Sequence, residues 1–130
     1  MNALIDTALL IDYLNGEQQA AAALDNCEHR SISVVTWLEV MTRCPAALQE
    51  ATRAVLRSFE RLSISESIAD EALKLVREHG GLDPQRALTW ATAKLNQLEF
   101  VTTEPIAGMP PGRNVTVPYV ATGWVNGASG

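Results

Sequence analysis

The sequence predicts an α/β fold: a three-layer α/β/α sandwich with a central, mostly parallel sheet. Short apolar runs at residues 2–5, 31–35, 61–64 and 99–103 alternate with longer stretches of helical periodicity. Strands joined through helices pair in parallel and carry helices on both faces. The chain is 130 residues long and 47% apolar, which suits one compact domain. With 8 glycines, 6 prolines and 2 cysteines, it is neither collagen-like nor a disulfide scaffold.

The elements follow in order. Residues 2–5 read as a short buried strand. Thr7 is placed to cap a helix carrying Leu10, Ile11 and Leu14, ended by Asn15 and Gly16. Residues 17–25 are Ala-rich and helical. The β-branched run at 31–35 is a second strand, and Thr36 with Glu39 forms a Thr-x-x-Glu capping box for the next helix. Pro45 starts another helix whose apolar face takes Leu48, Val55 and Phe59. After the third strand at 61–64, Ser65 or Ser67 opens a helix through His79, with Ile68, Ala72 and Leu75 inward and Gly80-Gly81 as its stop. Asp83-Pro84 starts the last helix, with a stripe of Leu88, Ala91, Leu95 and Leu98. A strand at 99–103 leads into a Pro/Gly-rich loop, an edge strand at 115–117 and a small-residue tail. The domain is expected to span 1–119, with 120–130 as the tail.

Fifteen acidic residues against ten basic ones give a net charge of −5, so any nucleic-acid contact needs local positive groups or bound cations. The longest apolar run is about five residues (Ala20 to Leu24), against ~20 for a membrane span. The first basic residue is Arg30, after Asp6 and Asp12, unlike the positive opening of a secretory signal. A cytoplasmic protein without membrane contact is expected, with Cys27 and Cys44 as reduced, buried thiols. Trp37 and Trp90 read as core or interface residues, and His29 and His79 have no evident partners.

Side chains just beyond the carboxyl ends of parallel strands converge on one edge of the sheet. Asp6 follows the first strand, Glu39 lies shortly past the second, and Glu104 follows the fourth. Three gathered carboxylates repel one another, and a divalent cation relieves that repulsion. Mg²⁺ and Mn²⁺ favour such oxygen ligands and can activate water against a phosphodiester. Each acid also has a plainer role: Asp6 as a helix cap, Glu39 as the capping-box acid and Glu104 as a loop acid.

The segments LIDTALLIDYL (4–14), ISVVTWLEV (32–40) and LDPQRALTWATAKLNQLEFVTTE (82–104) resemble, in order and spacing, the motifs of the PIN-domain family, especially its VapC-type toxins. The resemblance covers about residues 1–119. It implies an Mg²⁺- or Mn²⁺-dependent ribonuclease, often a homodimer, held by a cognate antitoxin. Carried over by position, Asp6, Glu39 and Glu104 would be the catalytic and metal-binding acids, with Thr7 and Thr102 as supporting hydroxyls. Where the family has another acid, directly before an Ala-Leu pair, this chain has Arg86, and Trp90 stands where the family prefers a small residue. Two functional readings follow. In one, the chain cleaves RNA and Arg86 contacts a substrate phosphate. In the other, Arg86 pairs with the acids in place of the metal, and a degenerate PIN domain acts by binding protein or RNA. A third reading takes the edge acids simply as caps.

Overall fold

A computed structural model describes residues 1–106 and 114–120. Within them, five strands form one sheet: β1 (Asn2–Ile5), β2 (His29–Ser33), β3 (Glu60–Leu62), β4 (Glu99–Val101) and β5 (Val115–Thr116). The strand order is β3-β2-β1-β4-β5, and every pairing is parallel. The helices are α1 (Thr7–Leu14), α2 (Gln18–Asp25), α3 (Val34–Arg43), α4 (Gln49–Leu56), α5 (Glu66–Glu78) and α6 (Pro84–Leu95).

Alternation along the strands divides the apolar side chains between two cores. Ala3, Ile5, Ile32 and Val101 meet Leu9, Leu10, Leu24 and Met41 from α1–α3 on one face. Leu4 and Phe100 meet Ile68, Leu75, Ala87, Trp90 and Ala91 from α5 and α6 on the other. Register enforces this division: Leu4 pairs with Phe100, and Ile5 with Val101, so paired residues enter the same core. The expected three layers follow.

Several local expectations are corrected. Asp6, extended at φ −70° and ψ 154°, is the N-cap of α1, and Thr7 is its first helical residue. Ser33 caps α3 by accepting the Val35 N–H at 3.0 Å. The helix therefore starts before Thr36, and Thr36 and Glu39 form no capping box. The strand expected at 31–35 instead occupies His29–Ser33, because pairing of Asn2 with His29 extends it backwards. Leu48 and Val55 are exposed: a 3-10 turn at Ala46–Leu48 rotates the chain before α4, and Leu56 takes the inward position. Leu95 is also exposed, whereas Ala91 is buried as expected and shares the buried face of α6 with Ala87 and Trp90. Asp83 caps α6 as expected, accepting the N–H groups of Gln85 and Arg86.

Cys27 is buried, and burial raises its thiol pKa; Cys44 is only half-buried, contrary to expectation, with its sulfur 3.2 Å from the Thr52 hydroxyl. The Pro/Gly loop at 107–113 and all of the expected tail beyond 120 lie outside the described residues. No helix of the described residues is long and apolar enough to cross a membrane.

Candidate functional site

The connection leaving β1 runs to β2 on one side, whereas β4 packs against β1 on the other. Such a reversal opens a crevice at the carboxyl ends of the two central strands. Asp6 immediately follows β1 and Thr102 immediately follows β4, and the Asp6 N–H donates to the Val101 carbonyl at 2.9 Å. The sheet thus carries two residues 96 positions apart into contact: the Thr102 hydroxyl donates to Asp6 Oδ2 at 2.6 Å.

Asp6 is 2% exposed. Its Oδ1 accepts the Thr7 N–H at 2.9 Å, which leaves Oδ2 for the crevice. Arg86, in the first turn of α6, reaches that oxygen: its Nη2 lies 3.3 Å from Asp6 Oδ2, 3.0 Å from Thr102 Oγ1 and 2.7 Å from the Glu104 carbonyl oxygen. The Glu104 N–H donates back to Thr102 Oγ1 at 3.1 Å. On the other side of Asp6, the Thr7 hydroxyl donates to Glu39 Oε1 at 2.8 Å and lies 2.9 Å from the Thr36 hydroxyl. One network therefore runs from Arg86 through Asp6 and Thr102 to Thr7, Thr36 and Glu39.

Asp6, Thr7, Thr102 and Arg86 meet directly, and Glu39 joins them through Thr7. Glu104 joins through its main chain, since its carbonyl rather than its carboxylate accepts from Arg86. Because Ser33 caps α3, Glu39 is released from helix capping and faces Thr7. Thr36, read from sequence as a cap, is instead a fully buried member of the network. Trp90 is core and lies against His79, and His29 pairs with Glu60 at 2.7 Å.

The Mg²⁺ or Mn²⁺ implied by the resemblance can be tested against this donor set. Magnesium needs oxygen ligands at about 2.0–2.1 Å in near-octahedral array. The Arg86 guanidinium already occupies the space shared by Asp6 Oδ2, Thr102 Oγ1 and the Glu104 carbonyl, and it brings a positive charge there. Among the described residues no three His, Cys, Asp or Glu side chains are grouped to hold a metal. With Arg86 in this position the residues present do not fit a divalent cation.

A second feature escaped sequence reading. Between residues 41 and 61 the acidic chain carries four arginines against two glutamates, a signal visible in the composition of that segment. Arg53, Arg57 and Arg61 line a cleft of about 310 Å³ with Trp37, Leu56 and Phe59. The guanidinium carbons of Arg61 and Arg53 stand 4.6 and 5.6 Å from the centre of the Trp37 ring. The ion pairs of the described residues all lie elsewhere. Arg61 is on β3, one row closer to the carboxyl edge than the Leu4–Ser31–Glu60 row. Two strand spacings separate β1 from β3, about 10 Å across the sheet.

A toxin–antitoxin complex from Klebsiella pneumoniae contains a chain similar to this one. The two are 36% identical, with a TM-score of 0.82 over 92% of this chain and 100% of that one. The VapBC2 structure from Rickettsia felis, bound to a DNA fragment from its promoter, shares the fold at 15% identity, with a TM-score of 0.66 over 80% of this chain and 88% of that one. FitAcB from Neisseria gonorrhoeae shares it at 20% identity, with a TM-score of 0.66 over 78% and 87%. Comparison with curated proteins gives no match. The sequence profile of the PIN domain matches residues 3–105. Parallel sheet, crevice residues and profile agree: the chain belongs to the PIN domain family.

Proposed function

We propose that this chain is a PIN-type ribonuclease, the toxin of a toxin–antitoxin pair, and that it engages RNA at the edge formed by Asp6, Thr7, Glu39, Arg86 and Thr102. The observation carrying this reading is the hydrogen-bonded network that gathers these residues from four separate segments at the switch point of the sheet. The 36% identical relative, matched over its whole length, is part of a toxin–antitoxin complex, and this supports an antitoxin partner here. A second copy of the chain is a further proposed partner.

The residues divide the work by chemistry. Glu39 is half-buried, and Thr7 engages one of its oxygens, Oε1. The carboxylate is thereby held in place to accept a proton from a water that attacks phosphorus, while the P–O bond to the departing ribose oxygen breaks and that oxygen takes a proton from solvent. Asp6 is fixed by Thr7 and Thr102 and holds the Arg86 guanidinium toward the crevice. Arg86 and Thr102 contact the phosphate. Glu104 contributes its carbonyl to this arrangement. Divalent-cation chemistry, general in the family, carries no step here because the donor set does not fit the ion. The arginine-lined cleft beside Trp37 gives an otherwise acidic protein a positive approach for flanking phosphates.

The three bonds of Arg86 Nη2 favour one competing reading, a PIN domain that binds without cutting. A cleavage assay on single-stranded RNA separates the two. Wild type is expected to cleave; Glu39→Gln is expected to lose about 100-fold or more in rate, the usual worth of a positioned proton acceptor, and Asp6→Asn is expected to lose activity because Arg86 is no longer held by a carboxylate. Tight RNA binding by wild type with no cleavage under any condition would establish the non-cutting reading.

A further inference from the structure

We infer that Arg86 is the resident cation of the crevice: its guanidinium takes the place of a divalent metal and gives the site a metal-independent contact to a phosphodiester. The inference rests on the RNA reading for its ligand but on geometry for its cation. Asp6 is buried and its carboxylate needs a positive partner. Arg86 Nη2 supplies that partner from within a ring of three oxygens contributed by Asp6, Thr102 and Glu104. A metal ion bound to Asp6 Oδ2 would lie against this guanidinium, and like charges in a partly desolvated crevice repel strongly. The two cations exclude each other.

The same guanidinium is not used up by the protein. It carries five N–H donors, and the bonds to the crevice all come from Nη2. The Nε–H is buried without a partner, and among the described residues every side-chain hydrogen bond of Arg86 comes from Nη2, which leaves Nη1 free. One-fifth of the side chain remains open. The Nη1 amino group is left to donate to a phosphate oxygen, with the permanent positive charge of the guanidinium behind it. Asp83, the N-cap below, and Asp6 hold the start of α6 and the guanidinium at their two ends, so the cation is fixed before a ligand arrives.

The test joins manganese calorimetry to RNA binding by fluorescence anisotropy, using a short single-stranded oligonucleotide and the full-length chain. Wild type is expected to show no stoichiometric Mn²⁺ site, and its RNA affinity is expected to be the same with EDTA or with Mn²⁺. Arg86→Asp is expected to gain one Mn²⁺ site and to bind RNA only with the ion present. Arg86→Gln is expected to lose at least ten-fold in RNA affinity. Arg86→Lys is expected to keep Mn²⁺ out, because the charge remains, while losing part of the affinity, because a single ammonium cannot both hold Asp6 and donate to the phosphate. Thermal melts check that each variant is folded, and the glutamine and lysine variants carry the test if the aspartate variant is not. A wild-type Mn²⁺ site that disappears in Asp6→Asn would overturn the inference, and so would RNA affinity indifferent to Arg86→Gln. If wild type binds no RNA while the manganese pattern holds, the RNA reading fails and the guanidinium assignment is supported.

Discussion

Thr102 shows how much one hydroxyl can organise. It donates to a carboxylate that is almost sealed from water, and it accepts from both Arg86 and the Glu104 N–H. Without it, Asp6 Oδ2 keeps only the longer 3.3 Å bond to Arg86. Thr102→Val preserves shape and removes the hydroxyl. Hydrogen bonds to charged groups are worth about 1.5–3 kcal/mol, and a stranded buried acceptor adds to the loss. Urea unfolding of this variant should show a loss of that order. A change under about 0.5 kcal/mol would mean that the hydroxyl and the carboxylate are already solvated. Thr7 has a similar central position but links two acids, Asp6 through its N–H and Glu39 through its hydroxyl.

At the level of elements, caps decide which side chains are free for chemistry. Ser33 satisfies the start of α3 and so leaves Thr36 and Glu39 to face α1. At the other end of the chain, the segment after β5 is tied back to α1 by the Tyr119 hydroxyl, which donates to Asp12 Oδ2 at 2.8 Å. Burial raises the Tyr119 pKa well above its ordinary value of 10.0, and the hydrogen bond and the negative charges of Asp12 and Glu17 add to the rise. The folded protein therefore holds this proton more tightly than the unfolded chain. The associated stability is intact below about pH 10 and is lost as pH rises above it, where the unfolded state ionises first. Denaturation of wild type and Tyr119→Phe across pH 8–11 tests this. The gap between the two should narrow steadily above pH 10, and a constant gap would exclude the linkage.

At the scale of the whole molecule, charge is distributed against its average. A net charge of −5 repels nucleic acid, yet Arg53, Arg57 and Arg61 line one cleft with Trp37. If single-stranded RNA crosses this cleft, each phosphate contact contributes about 0.7 to the slope of log K against log salt. Arg57→Glu should then weaken RNA binding and flatten that slope by roughly one such contact. Its melting temperature should move little, because the side chain is exposed and outside the described ion pairs. An unchanged salt slope would show that the RNA takes another path over the surface.

Local pattern was sufficient for the alternation of strands and helices, the parallel sheet with a layer on each face, and the delivery of Asp6 and Glu39 toward one edge. Periodicity and strand-end position are properties of a few neighbouring residues, so they can be read along the chain. Choices among neighbours were harder. Thr36 and Ser33 both suit an N-cap, and parallel pairing of β2 with β1 and β3 decided between them. Leu95 fits the periodicity of α6, and only the shape of the core left it outside. The bonding of Arg86 to Asp6 and Thr102 lay furthest from the local pattern. It joins residues separated by as many as 96 positions, and it turns on which atom reaches which oxygen. Such contacts exist only after the sheet has closed its crevice, because the energy that fixes them comes from groups that no stretch of sequence brings together.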